Sequence, residues 1–165
     1  MRTDSGALTS LRAVVLHDIE VMQTLDLTIS ATQAGLDAAT RDAGQVSIVA
    51  YALHNLYNAL ENSFEQISAT FENHITRRDQ WHSELLMKMS LKMPEIRPAV
   101  LTARARNTAN ELLKFRHLYR HAYEMELDPE KLHIIVRKWL DGREEIFSSL
   151  QDFCAWLRQG SDRKE

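Results

Sequence analysis

Apolar residues recur at three-, four- and seven-residue steps through almost the whole chain, a period that leaves room for little but α-helix. Leu8, Val15, Met22, Ile29 and Leu36 repeat every seven residues. Leu11, Leu25 and the less apolar Asp18 and Thr32 fill the stripe between them. This predicts a long first helix over residues 8–39, with Asp4, Ser5 and Ser10 as candidate N-caps and Gly44 as its stop. Val46, Val49, Leu53, Leu56, Leu60, Phe64, Ile67 and Phe71 give a second helix to near His74. A shorter helix follows over 81–92, ended by Met93-Pro94, with the chain restarting at Pro98. The fourth helix reads from 97 to 123, with Leu101, Ala105, Thr108, Leu112, Phe115, Tyr119 and Ala122 as its core stripe. Asp128-Pro129-Glu130 opens a last helix that runs to about Arg158, across a Gly142 that should weaken it locally.

The expected fold is all-α: an up-and-down bundle of about four long helices plus one short one, in a single domain over residues 1–165. Its ordered core is expected over 8–158, with a frayed tail at 160–165. Five glycines and three prolines are too few for a many-turned β fold. Cys154 is the one cysteine, which excludes an internal disulfide and a multi-cysteine metal site and fits a reducing, cytoplasmic setting. It reads as a buried small apolar residue. Trp81, Trp139 and Trp156 read as core or interface anchors, and Met87, Met89 and Met93 as packing. No apolar run is long enough to span a membrane, and the N-terminal residues lack the apolar core of a signal peptide.

The net charge of −3 argues against a protein that coats duplex DNA. The charge is unevenly placed. Residues 97–120 hold Arg97, Arg104, Arg106, Lys114, Arg116 and Arg120 against the single acid Glu111. Residues 53–76 hold Glu61, Glu65 and Glu72 and no Lys or Arg, so an acidic helix could pack beside a basic one.

The end of the basic helix reads Phe-Arg-His-Leu-Tyr-Arg-His-Ala-Tyr over 115–123. On a helical wheel with Leu112 at the core centre, Arg116 falls about 40° and Arg120 about 80° away, on the flank. His117 and His121 fall at about 140° and 180°, facing out. Exposed histidines titrate near neutral pH and can move a proton between two oxygens, while arginines hold the phosphate. That pairing suits RNA cleavage with the 2′-OH as nucleophile. The ordinary reading, a solvated helix face with surface histidines, competes with it. Arg116 and His121 are about 140° apart on the wheel, so a second chain at a two-fold seam would help complete the site.

Arg116, the polar His117, three further residues and His121 resemble the ribonuclease motif of the HEPN superfamily, and Tyr123 resembles the tyrosine of its HepT-like branch. Tyr57-Asn58 with Glu61-Asn62, and Trp81-His82 with Leu85, Leu86 and Met89, extend the resemblance over roughly residues 8–155. It implies a homodimeric, metal-independent ribonuclease toxin of a toxin–antitoxin pair that needs no cofactor and cuts tRNA or mRNA. The implied partner is an MNT-type nucleotidyltransferase antitoxin that can silence the toxin by placing AMP on Tyr123. His121 becomes the general acid/base and Arg116 the phosphate clamp, with His117 orienting either. Arg120, Lys114 and Arg106 become RNA contacts, and Glu61 is the second-helix candidate for contact with a motif arginine. Two other classes compete. One is a non-catalytic interaction bundle of the same fold. The other is a DinB-like metal site built from His54, His117 and His121, which leaves the arginines unexplained.

Overall fold

The computed structural model describes residues 4–72, 81–121 and 127–162, and among these no residue lies in an extended strand. Five α-helices follow one another: α1 Ser5–Thr32, α2 Ala43–Phe71, α3 Trp81–Met89, α4 Ala103–His121 and α5 Pro129–Asp162. The four long helices close a ring, α1 on α2, α2 on α4, α4 on α5 and α5 back on α1, with α3 lying against α2 and α4. Cross-helix pairs give the directions. Asp18 accepts from Asn62 and Ser63, Trp139 donates to Asp26, and Thr102 donates to Glu145. Ser5 meets Ser161 while Asp26 meets Trp139, and Thr102 meets Glu145 while Glu111 meets Lys138, so α5 runs antiparallel to both α1 and α4. No helix among the described residues is long and apolar enough to cross a membrane.

The stripes are the core. Leu8, Val15, Met22, Ile29 and Leu36 are all buried, as are Val46, Val49, Leu53, Leu56, Leu60, Phe64 and Ile67. Truncating one such Leu to Ala costs about 2–5 kcal/mol, because lost transfer energy and a residual cavity add. Asp18 keeps its place in the α1 stripe because Ser63 (2.8 Å) and Asn62 (2.9 Å) satisfy its carboxylate. Trp139 is a core anchor whose indole N–H reaches Asp26 at 2.6 Å, while Trp81 and Trp156 are half-buried. Cys154 is buried, and burial raises its thiol pKa.

Several boundaries differ from the sequence expectation. The first helix stops at Thr32, and Gln33–Leu36 tighten into a 3-10 turn. Gly35 is packed under Gln45, where a Cβ would come within 2.3 Å of Gln45 Oε1. Gly44 is no stop. It lies in the first turn of α2, whose cap is Asp42, accepting from Gln45 N at 2.8 Å. The third helix ends at Met89, and the fourth begins only at Ala103, with Thr102 Oγ1 capping Ala105 N at 3.2 Å. Asp128 and Pro129 open α5 as expected, with Asp128 Oδ1 accepting from Glu130 N at 2.9 Å. That helix runs to Asp162, past the expected tail at 160. Gly142 is more than a weak point in α5, because a Cβ there would meet Thr108 Oγ1 at 1.9 Å. Its missing side chain is what lets α4 and α5 approach. Met89 packs in the core, but Met87 is exposed.

Between α3 and α4, Met93 and Arg97 pair as an isolated antiparallel bridge. Pro94, Glu95 and Ile96 form the turn inside it, and Glu95 takes a left-handed φ of 62°. The turn carries Arg97 inward. Arg97 is therefore not part of a basic helix face, as the charge run suggested, but a buried ion. Its Nε and Nη2 donate to Glu72 of α2. Nη1 donates to Leu91 O and Pro98 O and Nη2 to Lys88 O, at 3.1–3.2 Å. All five guanidinium N–H groups are thus engaged.

Candidate active site on the fourth helix

Glu61, Glu65 and Glu72 recur at helical spacing along α2, and α3 lies against that side. Glu72 takes Arg97 at one end of α3, and Glu61 holds the other. Glu61 Oε2 meets His82 Nδ1 at 2.7 Å, and Oε1 lies 3.5 Å from Arg116 Nη2. The contact between Glu61 and a motif arginine is therefore present.

Arg116 does not sit on the open flank that the wheel suggested. Its side chain is only 10% exposed, because α3 covers that side of α4. Nε donates to Asn58 Oδ1 at 3.4 Å, and Nη1 contacts His82 Nε2 at 3.1 Å. Since Arg116 can only donate, Asn58 faces it with its carbonyl oxygen. The Asn58 amide nitrogen is left to donate to His54 Nε2, 3.1 Å away. His54 stacks on Tyr119 with ring centroids 4.7 Å apart. Burial first, then the charges of Arg116 and Arg120, hold the His54 pKa below its ordinary value. Tyr57 is buried beside Glu61, and desolvation followed by that carboxylate pushes its phenol far above the usual range. Glu65 is raised by burial first and then by Glu61.

The two motif histidines are exposed, as expected. His117 meets His82 edge-on, with ring centroids 5.9 Å apart. Its pKa is lowered, first by desolvation where the ring is partly covered, then by His82 and Arg116, against the opposing pull of Glu61. His121 is the last residue of α4, one turn beyond His117. Tyr123 lies outside the described residues.

The three expected RNA contacts, Arg106, Lys114 and Arg120, are all exposed, but they form no single strip. Lys114 lies about 80° round the helix from Arg106 and about 120° from Arg120. Lys114 also pairs with Glu111 at 2.8 Å. Arg106 borders a groove of about 220 Å³ with Ser83, Met87 and Asn110.

The metal reading loses its third ligand, because His54 faces Asn58 and Tyr119 from inside the α2–α4 seam. No three His, Cys, Asp or Glu side chains among the described residues converge with metal-binding geometry. Sequence reasoning singled out Asn58 and His82 only as points of resemblance and gave them no part in the site. Their signal was weak, because both reach Arg116 across the bundle from distant positions.

The model of the HepT-like_2 family, described as HepT-like protein, matches residues 48–157, more than half of the chain and all of the elements that build this site. No curated protein and no solved structure matches the chain. The chain belongs to the HepT-like family of the HEPN superfamily, whose members are generally ribonucleases.

Proposed function

We propose that this chain is a metal-independent ribonuclease toxin that cleaves RNA with Arg116 and His121. The observation that carries the reading is the state of Arg116. Its guanidinium is held from behind by Asn58, His82 and Glu61, while His117 stands exposed next to it in sequence and His121 stands exposed one turn further along α4. Nε and Nη1 each spend one N–H on a hydrogen bond and Nη2 adds an ion pair to Glu61, which leaves at least one N–H on each terminal nitrogen for a phosphate. The 2′-OH attacks the adjacent phosphorus, and its proton passes to the neutral imidazole of His121. The bond to the 5′-oxygen breaks, and that oxygen leaves with a proton returned by the imidazolium. Arg116 stabilises the charge on the non-bridging oxygens as the transition state forms. The lowered pKa of His117 favours its neutral form, which can accept a hydrogen bond from substrate or from His121.

Arg120, Lys114 and Arg106 would hold the flanking strand, which would be tRNA or mRNA. A second copy of the chain would bring two motifs to one seam, and an MNT-type nucleotidyltransferase would act as antitoxin by placing AMP on Tyr123. One observation also favours a different reading. Asn58 and Glu61 of α2 and His82 of α3 all converge on Arg116 of α4, as in a non-catalytic bundle that uses the arginine to pin α2, α3 and α4 together. RNA cleavage in excess EDTA separates the two. The ribonuclease reading expects cleavage by the wild type and none by His121→Ala at equal concentration. The bundle reading expects none from either.

A further inference from the structure

The two contacts of His82 define its protonation. Arg116 Nη1 carries only donors, so its 3.1 Å contact with His82 Nε2 is a hydrogen bond only when Nε2 bears no proton. The proton then sits on Nδ1 and is donated to Glu61 Oε2 at 2.7 Å. One neutral tautomer satisfies both neighbours, and the Nε2–H tautomer and the imidazolium each set a donor against a donor.

We propose that His82, held by Glu61 as the Nδ1–H tautomer, is a positioning residue for Arg116. It fixes the plane of the guanidinium so that the remaining N–H of each terminal nitrogen faces the site occupied by phosphate. The functional half of this inference rests on the ribonuclease reading above, while the hydrogen-bond wiring does not. Among the described residues, Glu61 and Glu65 of α2 and Arg116 and His117 of α4 are the charged and titratable groups facing the imidazole, and Trp81 of its own helix stacks on it. The far end of α3 is held independently, since Lys88 O accepts from Arg97 and Met89 O accepts from Val100 N and Leu101 N. Removing the imidazole therefore leaves α3 docked.

The test has two arms on the full-length protein. In the first, long-range proton–nitrogen correlation of the ¹⁵N-labelled histidines reports the tautomer, with the His82 signals assigned by their loss in His82→Gln. The expected spectrum has a protonated Nδ1 and a bare Nε2. A bare Nδ1 or an imidazolium at neutral pH overturns the wiring whatever the activity. In the second arm, cleavage of a short RNA in excess EDTA is compared for wild type, His82→Ala and His82→Gln. Loss of a hydrogen bond to a charged group should lower kcat roughly tenfold to a hundredfold in His82→Ala, with a smaller change in KM. His82→Gln, which offers one donor and one acceptor, should recover most of the loss. Equal kcat in wild type and His82→Ala, or no recovery in His82→Gln, overturns the positioning role. If the wild type cuts no RNA, the ribonuclease reading falls and takes the functional half with it, and the nitrogen spectrum alone decides the contact with Arg116.

Discussion

Two arginines meet two α2 glutamates at opposite ends of α3, and they are wired in opposite ways. Arg97 is sealed, with no exposed side-chain surface, and all five of its donors are spent on Glu72 and three backbone carbonyls. Nothing remains with which to bind a ligand. Arg116 keeps 10% of its side chain exposed and, among the described residues, engages Asn58, His82 and Glu61, all through side chains. Backbone carbonyls cannot be titrated or repositioned, whereas an amide, an imidazole and a carboxylate can. The first pair is a fastener for the α3–α4 connection, and the second, on the proposed function, is a cation with donors left for phosphate. Buried charge by itself therefore says little about function. The count of unspent donors, and what stands beside them, separates the two.

The largest effect should come from breaking the fastener. Arg97→Ala leaves the Glu72 carboxylate buried with Lys88 Nζ, 3.9 Å away, as its remaining ionic neighbour, and should cost about 3–5 kcal/mol in denaturant unfolding. Replacing both partners with Met should recover much of that loss, because neither charge is then stranded. Arg116→Ala should cost less, about 1–3 kcal/mol, since Glu61 retains His82. A larger loss at Arg116 than at Arg97 would erase the distinction.

The next effect concerns the seam that carries α4. Gly142→Ala drives a methyl into Thr108, which must move with its helix, at about 1–3 kcal/mol. It should lower RNA cleavage more than its stability loss explains, because a shift of α4 against α2 moves Arg116 relative to Glu61. Cleavage unchanged in properly folded Gly142→Ala protein would show that the site tolerates such a shift.

Acid should distinguish the regions next. The folded His54 has a pKa below its unfolded value of about 6.5, so below that value the unfolded chain binds the extra proton more readily. His54 therefore makes stability fall as the pH drops below about 6.5 toward its folded pKa, and the dependence ends once both states are protonated. In denaturant titrations over this range, His54→Leu should show a shallower pH dependence than the wild type. An unchanged slope would remove His54 from the account. No histidine among the described residues contacts the Arg97 fastener, so substitutions there should leave this slope alone.

The smallest effect lies in the turn that delivers Arg97. Glu95 pays for a left-handed φ that glycine adopts freely, so Glu95→Gly should change stability by about 1 kcal/mol or less, in the favourable direction. Cleavage should not change, since the turn serves the fastener and not the site.

The bundle was legible in the sequence because a three-and-four stripe admits one period, and the heptad residues Leu8, Val15, Met22, Ile29 and Leu36 and the α2 stripe from Val46 to Ile67 are buried as that period requires. The ends of the helices were less legible. Gly44 looked like a stop, but Asp42 before it made the same stretch a start, and the tight packing of Gly35 beneath Gln45 cannot be read from local sequence. At the site, the exposure of His117 and His121 followed from the wheel, but the burial of Arg116 did not, because α3 covers the flank of α4. Arg97 counted as one more surface cation until its turn folded it under Glu72. Both errors have one cause. A wheel describes one helix against one core, and a cation near the edge of that core is decided by whichever segment lies across it.

The central claim, that Arg116 is a working clamp where Arg97 is a fastener, is tested most directly by RNA cleavage in excess EDTA. Wild type, His121→Ala, Arg116→Ala and the doubly substituted Arg97→Met/Glu72→Met protein should be compared at equal folded concentration. The account predicts cleavage by the wild type and the Met pair, and loss by roughly a hundredfold or more in Arg116→Ala and His121→Ala. Cleavage by Arg116→Ala at the wild-type rate, or no cleavage by any of the four, would contradict it.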